Sequence, residues 1–114
     1  MSTTTLDGTP SVRLDHTDDH AIACVTLGGG KGNILTGDVM RQLRSRLHEI
    51  ESDRDVKAII LAGEGKHFSF GASVEEHRRE EAAAMIHEFH GLILDVARLD
   101  IPIISAVSGM CLGG

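Results

Sequence analysis

Two glycine-containing segments of this 114-residue chain have residue types that could stabilise a developing negative charge. The first segment, residues 65–74, includes the run Phe-Ser-Phe-Gly-Ala, and the second, residues 109–114, reads Gly-Met-Cys-Leu-Gly-Gly. Glycine lets the backbone lie where a side chain would block its approach, and such loops can aim N–H groups at one oxygen. Two unrelated tight turns would give the same spacing, so the residues alone leave both interpretations open.

Each segment follows an apolar run that is typical of a buried strand. These runs are Val56–Ala62 and Ile103–Val107. The nearly continuous Ile-Ile-Leu run of the first favours a strand buried on both faces, as in parallel sheets, and the second predicts another buried strand. The carboxyl ends of parallel strands meet at the edge where open α/β sheets place ligands. We therefore expect the two segments, called here the first loop and the second loop, to lie side by side.

The rest of the sequence predicts two further strands and two helices. Alternation at Val12–His16 predicts a strand that forms a hairpin with the apolar residues 21–27. Thr36 can cap a helix that ends near Ser52, and helical spacing predicts another helix from about Arg79 to Leu99. The first helix is expected to bury Val39, Met40, Leu43, Leu47 and Ile50. The resulting order is that of an α/β protein with βαβ crossovers.

Composition excludes several classes of function. The net charge of −6 argues against a general nucleic-acid binder, and no apolar run reaches the roughly 18 residues expected of a membrane span. Residues 1–10 lack the apolar core of a secretory signal, so we expect a disordered tail before a domain at 11–114. Cys24 and Cys111 fit no metal or redox spacing, which favours reduced thiols in a cytoplasmic protein.

Other candidate sites give weaker signals. The segment from Gly63 to His67 hints at a phosphate loop, but Ile60 and His67 occupy positions where that motif needs Gly and Ser or Thr. His87 and His90 stand at i, i+3 on the second helix, a spacing that can chelate a metal ion. No further ligand completes that pair, so a solvated helix face is favoured and no metal is expected.

The two loops and the strands before them together resemble the enoyl-CoA hydratase/isomerase (crotonase) superfamily. The resemblance runs from about Val12 to Gly114, and the final run is close to the family's P-x-I-A-A-V-x-G-x-x-x-G-G-G. The matching positions are Asn33, 58–63, 68–72 and 102–114. The resemblance implies the α/β, crotonase-like (ClpP/crotonase) fold, a superhelix of ββα units, truncated after the second oxyanion-hole loop.

The resemblance also implies site residues. The backbone N–H groups of Ala72 and Gly114 match the family's two oxyanion-hole donors. Positions that match the family's contacts with coenzyme A are Ser69, Phe70 and Gly71. Lys31 and Lys66 are candidates for binding its phosphates. No cofactor is implied, because coenzyme A is part of the acyl-CoA substrate.

The acid and base of the reaction are not among these matches. In family hydratases one Glu closely follows the glycines and a second lies farther on, so both would fall after Gly114. Glu75 and Glu76 match no catalytic position and suit the dipole at a helix start. The resemblance therefore implies a 114-residue fragment that does not hydrate substrate by itself. It also implies a strand at residues 103–107 without its usual cover, which would expose apolar surface.

The first loop narrows the expected substrate. Phe70 stands where the family usually has a small residue, and Ser73 where it usually has Asp. The run F-S-F-G-A-S-V-x-E-H is typical of members that add water to a cyclic dienoyl-CoA in anaerobic benzoyl-CoA degradation. Phe70 could shape a pocket for a ring, or could be a packing substitution.

Alternative functions are a general enoyl-CoA hydratase/isomerase and a non-catalytic protein that binds acyl-CoA or assembles with family subunits. The resemblance implies a homotrimer or dimer of trimers for the full-length parent, with no nucleic-acid or membrane partner.

Overall fold

A computed structural model describes residues 11–30, 32–73 and 79–114, so the expected tail at 1–10 lies outside the described residues. The elements are β1 (Val12–Thr17), β2 (Ile22–Leu27), α1 (Gly37–Glu51), β3 (Ala58–Gly63), α2 (Arg79–Arg98) and β4 (Ile103–Ala106). They confirm the predicted order, with ends that differ by one or two residues. Neither described helix is both long and apolar enough to cross a membrane.

The four strands form a sheet in the order β1-β2-β3-β4. β1 and β2 are an antiparallel hairpin in which Val12 lies opposite Leu27. β2 pairs with β3 in parallel, and β3 pairs with β4 in parallel. Parallel neighbours need a crossover, and here α1 and α2 supply the two crossovers. The parallel pairing brings the residues after β3 and β4 to the same edge of the sheet.

Helix α1 supplies much of the core. The Thr36 hydroxyl accepts the Val39 N–H at 3.1 Å, which confirms the predicted N-cap. All five residues of the predicted apolar stripe are buried. Gln42 is buried as well, and its Oε1 accepts the Val12 N–H at 3.0 Å, so the helix is joined to β1 by a hydrogen bond as well as by packing.

An ion-pair network fixes α2 against α1. Arg44 donates to Asp95 at 2.7 Å and to Glu88 at 3.1 Å, and His48 lies 3.1 Å from the same Asp95 carboxylate. Burial by itself would raise the pKa of Asp95, but the hydrogen bonds from Arg44 and His48 hold that pKa below its usual range. An added Cβ at Gly91 would collide with the Arg44 guanidinium, so glycine at this position leaves room for the Arg44 side chain in the ion-pair network.

The burial that the aliphatic run predicted for β4 is not found, and the burial on both faces predicted for β3 is only partly met. In β3 only Ile59 is fully buried, and the other residues are half-buried. In β4 the side chain of Ile104 is 55% exposed, and Val107 just beyond the strand is 53% exposed. The reason is position, because β4 pairs only with β3 and no other described strand lies beyond it. The expectation of exposed apolar surface at residues 103–107 is confirmed.

Candidate functional site

The first and second loops lie side by side, as expected from their strands. Ser69 and Cys111 form a parallel bridge in which the Ser69 N–H donates to Met110 O at 3.2 Å and Ser69 O accepts the Leu112 N–H at 3.0 Å. The Phe68 N–H donates to Ser108 O at 2.8 Å. The hydrogen bonding between β3 and β4 thus continues past the strand ends and fixes one loop against the other.

Gly71 allows the closest approach between the two loops. Its φ of +95° is in the region that favours glycine, and an added Cβ would lie 2.7 Å from the carbonyl oxygen of Leu112. Gly113, with φ +70°, lies on the other side of the same contact. The expectation that Gly71 places backbone where a side chain would not fit is confirmed.

The N–H of Ala72 faces away from the strand-like segment that flanks it. The Leu35 N–H donates to Gly71 O at 2.8 Å, and Leu35 O accepts the Ser73 N–H at 3.2 Å. In a parallel bridge of this kind Leu35 bonds the backbone of the residues before and after Ala72. The N–H and C=O of Ala72 itself therefore point away from Leu35. Within the described part of the chain, no acceptor bonds the Ala72 N–H.

Ala72 and Gly114 line the same cleft, which has a volume of about 410 Å³. The cleft is lined by Phe70, Gly71, Ala72, Met85, Ile86, Phe89, Gly113 and Gly114. Helix α2 thus supplies one wall and the two loops supply the other. The Gly114 N–H also has no acceptor among the residues described, and an added Cβ at Gly114 would lie 2.6 Å from the Phe89 ring.

Ser69 and Phe70 hold the first loop in place. Ser69 is buried, and its hydroxyl donates to Asn33 O at 2.9 Å while accepting the Gly71 N–H at 3.0 Å. The Phe70 N–H donates to Gly32 O at 2.8 Å, and an added Cβ at Gly32 would lie 2.6 Å from the Phe70 ring. All polar groups of Ser69 are thus engaged within the protein, whereas Phe70 is 39% exposed and is one of the residues that line the cleft.

Two positioning residues were not assigned a role from the sequence. Buried Asn33 donates through Nδ2 to the carbonyls of Glu64, His67 and Phe68 at 3.0, 2.8 and 3.2 Å. His67 Nδ1 accepts the Met110 N–H at 2.9 Å and so joins the first loop to the second. The only signal for Asn33 in the sequence was its place in the family resemblance, and nothing singled out His67 as a link.

Of the remaining sequence candidates, those that the structure describes are not among the residues that line the cleft. Lys66 is exposed, and its carbonyl accepts the Ser108 hydroxyl at 3.3 Å. Lys31 and the segment with Glu75 and Glu76 lie outside the described residues. Neither His87 nor His90 belongs to a described group of three side chains that could converge on one metal ion.

The two cysteines are not among the cleft-lining residues. Cys24 is half-buried and Cys111 is exposed, and both are free. Neither belongs to the described cluster of possible metal ligands.

The fold and the paired loops agree with the family that the sequence resembles. A family model for enoyl-CoA hydratase/isomerase matches residues 17–114, so the chain belongs to this family. Cyclohexa-1,5-dienecarbonyl-CoA hydratase of Thauera aromatica is 36% identical over 96 residues, covering 84% of this chain and 37% of that protein. A 4-chlorobenzoyl coenzyme A dehalogenase of Arthrobacter is 32% identical over 110 residues, covering 90% and 40%.

Solved structures show the same fold. An enoyl-CoA hydratase of Bacillus anthracis superposes with a TM-score of 0.83 at 23% identity, covering 90% of this chain and 42% of that one. An enoyl-CoA hydratase/carnithine racemase of Magnetospirillum magneticum gives a TM-score of 0.80 at 30% identity, covering 89% and 40%. The crotonase-like fold is therefore confirmed. The chain spans about two fifths of the length of the curated relatives it matches.

Proposed function

We propose that this chain binds the thioester of an acyl-CoA in the described cleft and polarises its carbonyl with the N–H groups of Ala72 and Gly114. One observation carries the proposal. The N–H of Ala72 is left without a described acceptor because Leu35 bonds only the residues on either side of it, and Ala72 lines the same cleft as Gly114. Two such donors on one cleft are the elements of an oxyanion hole.

These donors matter because of the negative charge that the reaction develops on the thioester oxygen. A thioester that reacts next to its carbonyl passes through an enolate-like state, in which negative charge gathers on the oxygen. Fixed N–H donors stabilise that charge more than they stabilise the neutral carbonyl, which is the condition for catalysis. Each such donor is typically worth about 10²–10³ in rate.

Hydration also needs an acid and a base, and the cleft residues described here include no carboxylate and no histidine. We propose that two glutamates supply this chemistry in the whole protein, at the family positions that fall after Gly114. The 114-residue chain would then hold and polarise the thioester without hydrating it.

The walls of the cleft favour a ring as the acyl group. Phe70 lines the cleft from the first loop and Phe89 lines it from α2, and Met85 contributes a flexible apolar residue. Two relatives carry names that refer to ring acyl groups, cyclohexadienecarbonyl and chlorobenzoyl. We propose that the whole protein hydrates cyclohexa-1,5-diene-1-carbonyl-CoA in anaerobic benzoyl-CoA degradation.

The alternatives are a general enoyl-CoA hydratase/isomerase and a non-catalytic acyl-CoA-binding protein. The proposal includes a cytoplasmic location, a homotrimer or dimer of trimers, and no cofactor beyond the coenzyme A of the substrate. Further CoA contacts are proposed at Gly71 and, for the phosphates, at Lys31 and Lys66.

Calorimetric titration of the chain with three matched CoA ligands tests the oxyanion hole. The ligands share one acyl skeleton and differ in the group attached to sulfur: a thioether without the carbonyl, the thioester, and a β-ketoacyl thioester that ionises to an enolate. We expect affinity to rise in that order. Equal affinity for all three would show that no donor contacts the carbonyl oxygen and would overturn the proposal.

A second comparison tests the acyl group and the role of the chain. The cyclic dienoyl thioester should bind more tightly than a linear dienoyl thioester of equal carbon number. Phe70→Ala should reduce that preference without weakening the linear ligand to the same degree. Turnover of the cyclic dienoyl-CoA by the purified 114-residue chain would contradict the assignment of the acid and base to residues after Gly114.

A further inference from the structure

We propose that His16, His20 and Asp53 form a binding site for a divalent transition-metal ion of the zinc class. The site lies where β2 and β3 begin, at the opposite end of these strands from the cleft. It does not depend on the proposed function, and the spacing of the three residues in the sequence gave no sign of it.

The three side chains converge in space. One ligand atom from each lies within 4.8 Å of the others. The His16 and His20 rings stack with centroids 3.8 Å apart and planes 13° apart. His20 Nε2 lies 2.6 Å from Asp53 Oδ2, so one imidazole already contacts the carboxylate.

The hairpin turn brings the two histidines together. His16 lies on β1 opposite Ala23, next to the end of the strand pairing. Asp18, Asp19 and His20 all have positive φ, at 55°, 56° and 74°. Three successive residues in this region turn the chain tightly, and the turn brings the His20 ring over that of His16.

The connection between α1 and β3 supplies the carboxylate. The Asp53 N–H donates to Ile50 O at 2.9 Å, and Asp53 Oδ1 accepts the Asp55 N–H at 3.0 Å. This second bond orients the carboxylate so that Oδ2 faces His20, in the way that outer hydrogen bonds orient metal ligands. The Lys57 N–H donates to Ala21 O at 2.7 Å and holds the two connections together.

Two imidazoles and one carboxylate, with room for solvent, suit a zinc-class ion. The His20 side chain is 42% exposed and that of Asp53 is 30% exposed, so water can complete the coordination.

Binding requires a small rearrangement of these side chains. Ligand atoms on one tetrahedral zinc ion lie roughly 3.4 Å apart, so the 2.6 Å separation of His20 Nε2 and Asp53 Oδ2 must lengthen and one ring must rotate out of the stack. The ion would take the place of the hydrogen bond between His20 and Asp53. The bound ion would join the hairpin to the α1–β3 connection.

Titration of the untagged 114-residue chain with Zn²⁺ and with Co²⁺ tests the site. We expect one ion per chain. His16→Gln, His20→Gln and Asp53→Asn should each weaken binding at least about tenfold. Zn²⁺ should raise the thermal midpoint of the unchanged chain and not that of His20→Gln.

Two control variants test whether other side chains bind the metal ion. The double variant His87→Gln, His90→Gln removes the histidine pair on α2, and Cys111→Ser removes the exposed thiol. Neither change should alter the affinity, and the Co²⁺ complex should show no thiolate charge-transfer band. A dissociation constant weaker than about 1 mM, or loss of binding in either control, would overturn the proposal.

Discussion

Asn33 Nδ2 lies 2.8 Å from the carbonyl oxygen of His67, and the same nitrogen contacts the carbonyls of Glu64 and Phe68. One buried side-chain amide therefore determines the path of the first loop. His67 in turn accepts the Met110 N–H from the second loop. The relative position of Ala72 and Gly114 thus depends on a residue that touches neither of them in the described contacts.

Replacing Asn33 with Asp should destabilise the first loop. The backbone preference of position 33 should stay the same. Both residues tolerate the positive φ of 47° found here, but the carboxylate offers no N–H and faces three carbonyl oxygens. We expect a loss of about 1–3 kcal/mol in the free energy of unfolding, measured by denaturant titration, and weaker binding of the thioester. Equal stability of the two proteins would show that the three contacts do not hold the loop.

Gly71→Ala should cost more than alanine at two other glycines. At Gly71 an added Cβ would meet the Leu112 carbonyl oxygen, and the φ is positive as well. At Gly65 the φ is +81° but no described atom lies within 4 Å of the Cβ, and at Gly30 no described atom does so either. The backbone conformation alone costs about 1–2 kcal/mol. The order of unfolding free-energy losses should be Gly71, then Gly65, then Gly30. A loss at Gly71 no larger than that at Gly65 would mean that the loop contact is dispensable.

Gly114→Ala should narrow the cleft rather than unfold the chain. Its Cβ would lie 2.6 Å from the end of the Phe89 ring, which must move into the space for the ligand. We expect thioester binding to weaken by about 1 kcal/mol or more. Phe89→Leu in the same chain should restore part of that loss, as a double-mutant cycle by calorimetry can measure. Additive effects of the two changes would argue against this contact.

The Arg44–Asp95 pair predicts a loss of stability in acid. A carboxyl whose pKa is lower in the folded state stabilises that state above the unfolded pKa and loses its contribution as pH falls through the folded value. For Asp95 that loss begins near the unfolded pKa of roughly 3.9 and continues below it.

Asp95→Asn should lower the unfolding free energy by about 1.5–3 kcal/mol at neutral pH. The unfolding free energy of this variant should also fall less steeply as the pH is lowered. The control is Glu49→Gln, which removes an exposed i, i+3 pair with Arg46 and should change stability by less than about 0.5 kcal/mol. Denaturant titrations of both variants between neutral and acidic pH provide the comparison. The same acid dependence in Asp95→Asn and the unchanged chain would rule out this pair as its source.

Local patterns in the sequence were enough to predict the elements and the two loops. The spacing of apolar residues along α1, the capping hydroxyl of Thr36 and the aliphatic run of β3 are properties of neighbouring residues, and the structure agrees with each. The family resemblance added the fold and directed attention to Ala72 and Gly114. For β4 the aliphatic run predicted burial, whereas the resemblance predicted exposed apolar surface, and the structure agrees with the resemblance. An aliphatic run shows which side chains prefer a core but not whether another element covers them.

Tertiary structure decided which groups are free and which are engaged. The Ala72 N–H has no acceptor among the described residues because Leu35 bonds only the residues on either side of it. Ser69 is engaged because its hydroxyl lies between Asn33 and Gly71. His16, His20 and Asp53 converge only when the hairpin and the α1–β3 connection meet. Periodicity encodes which face of an element is buried, whereas hydrogen bonds and ligand clusters depend on distances between residues far apart in the chain. That is why the sequence determined the elements and the tertiary structure determined the site.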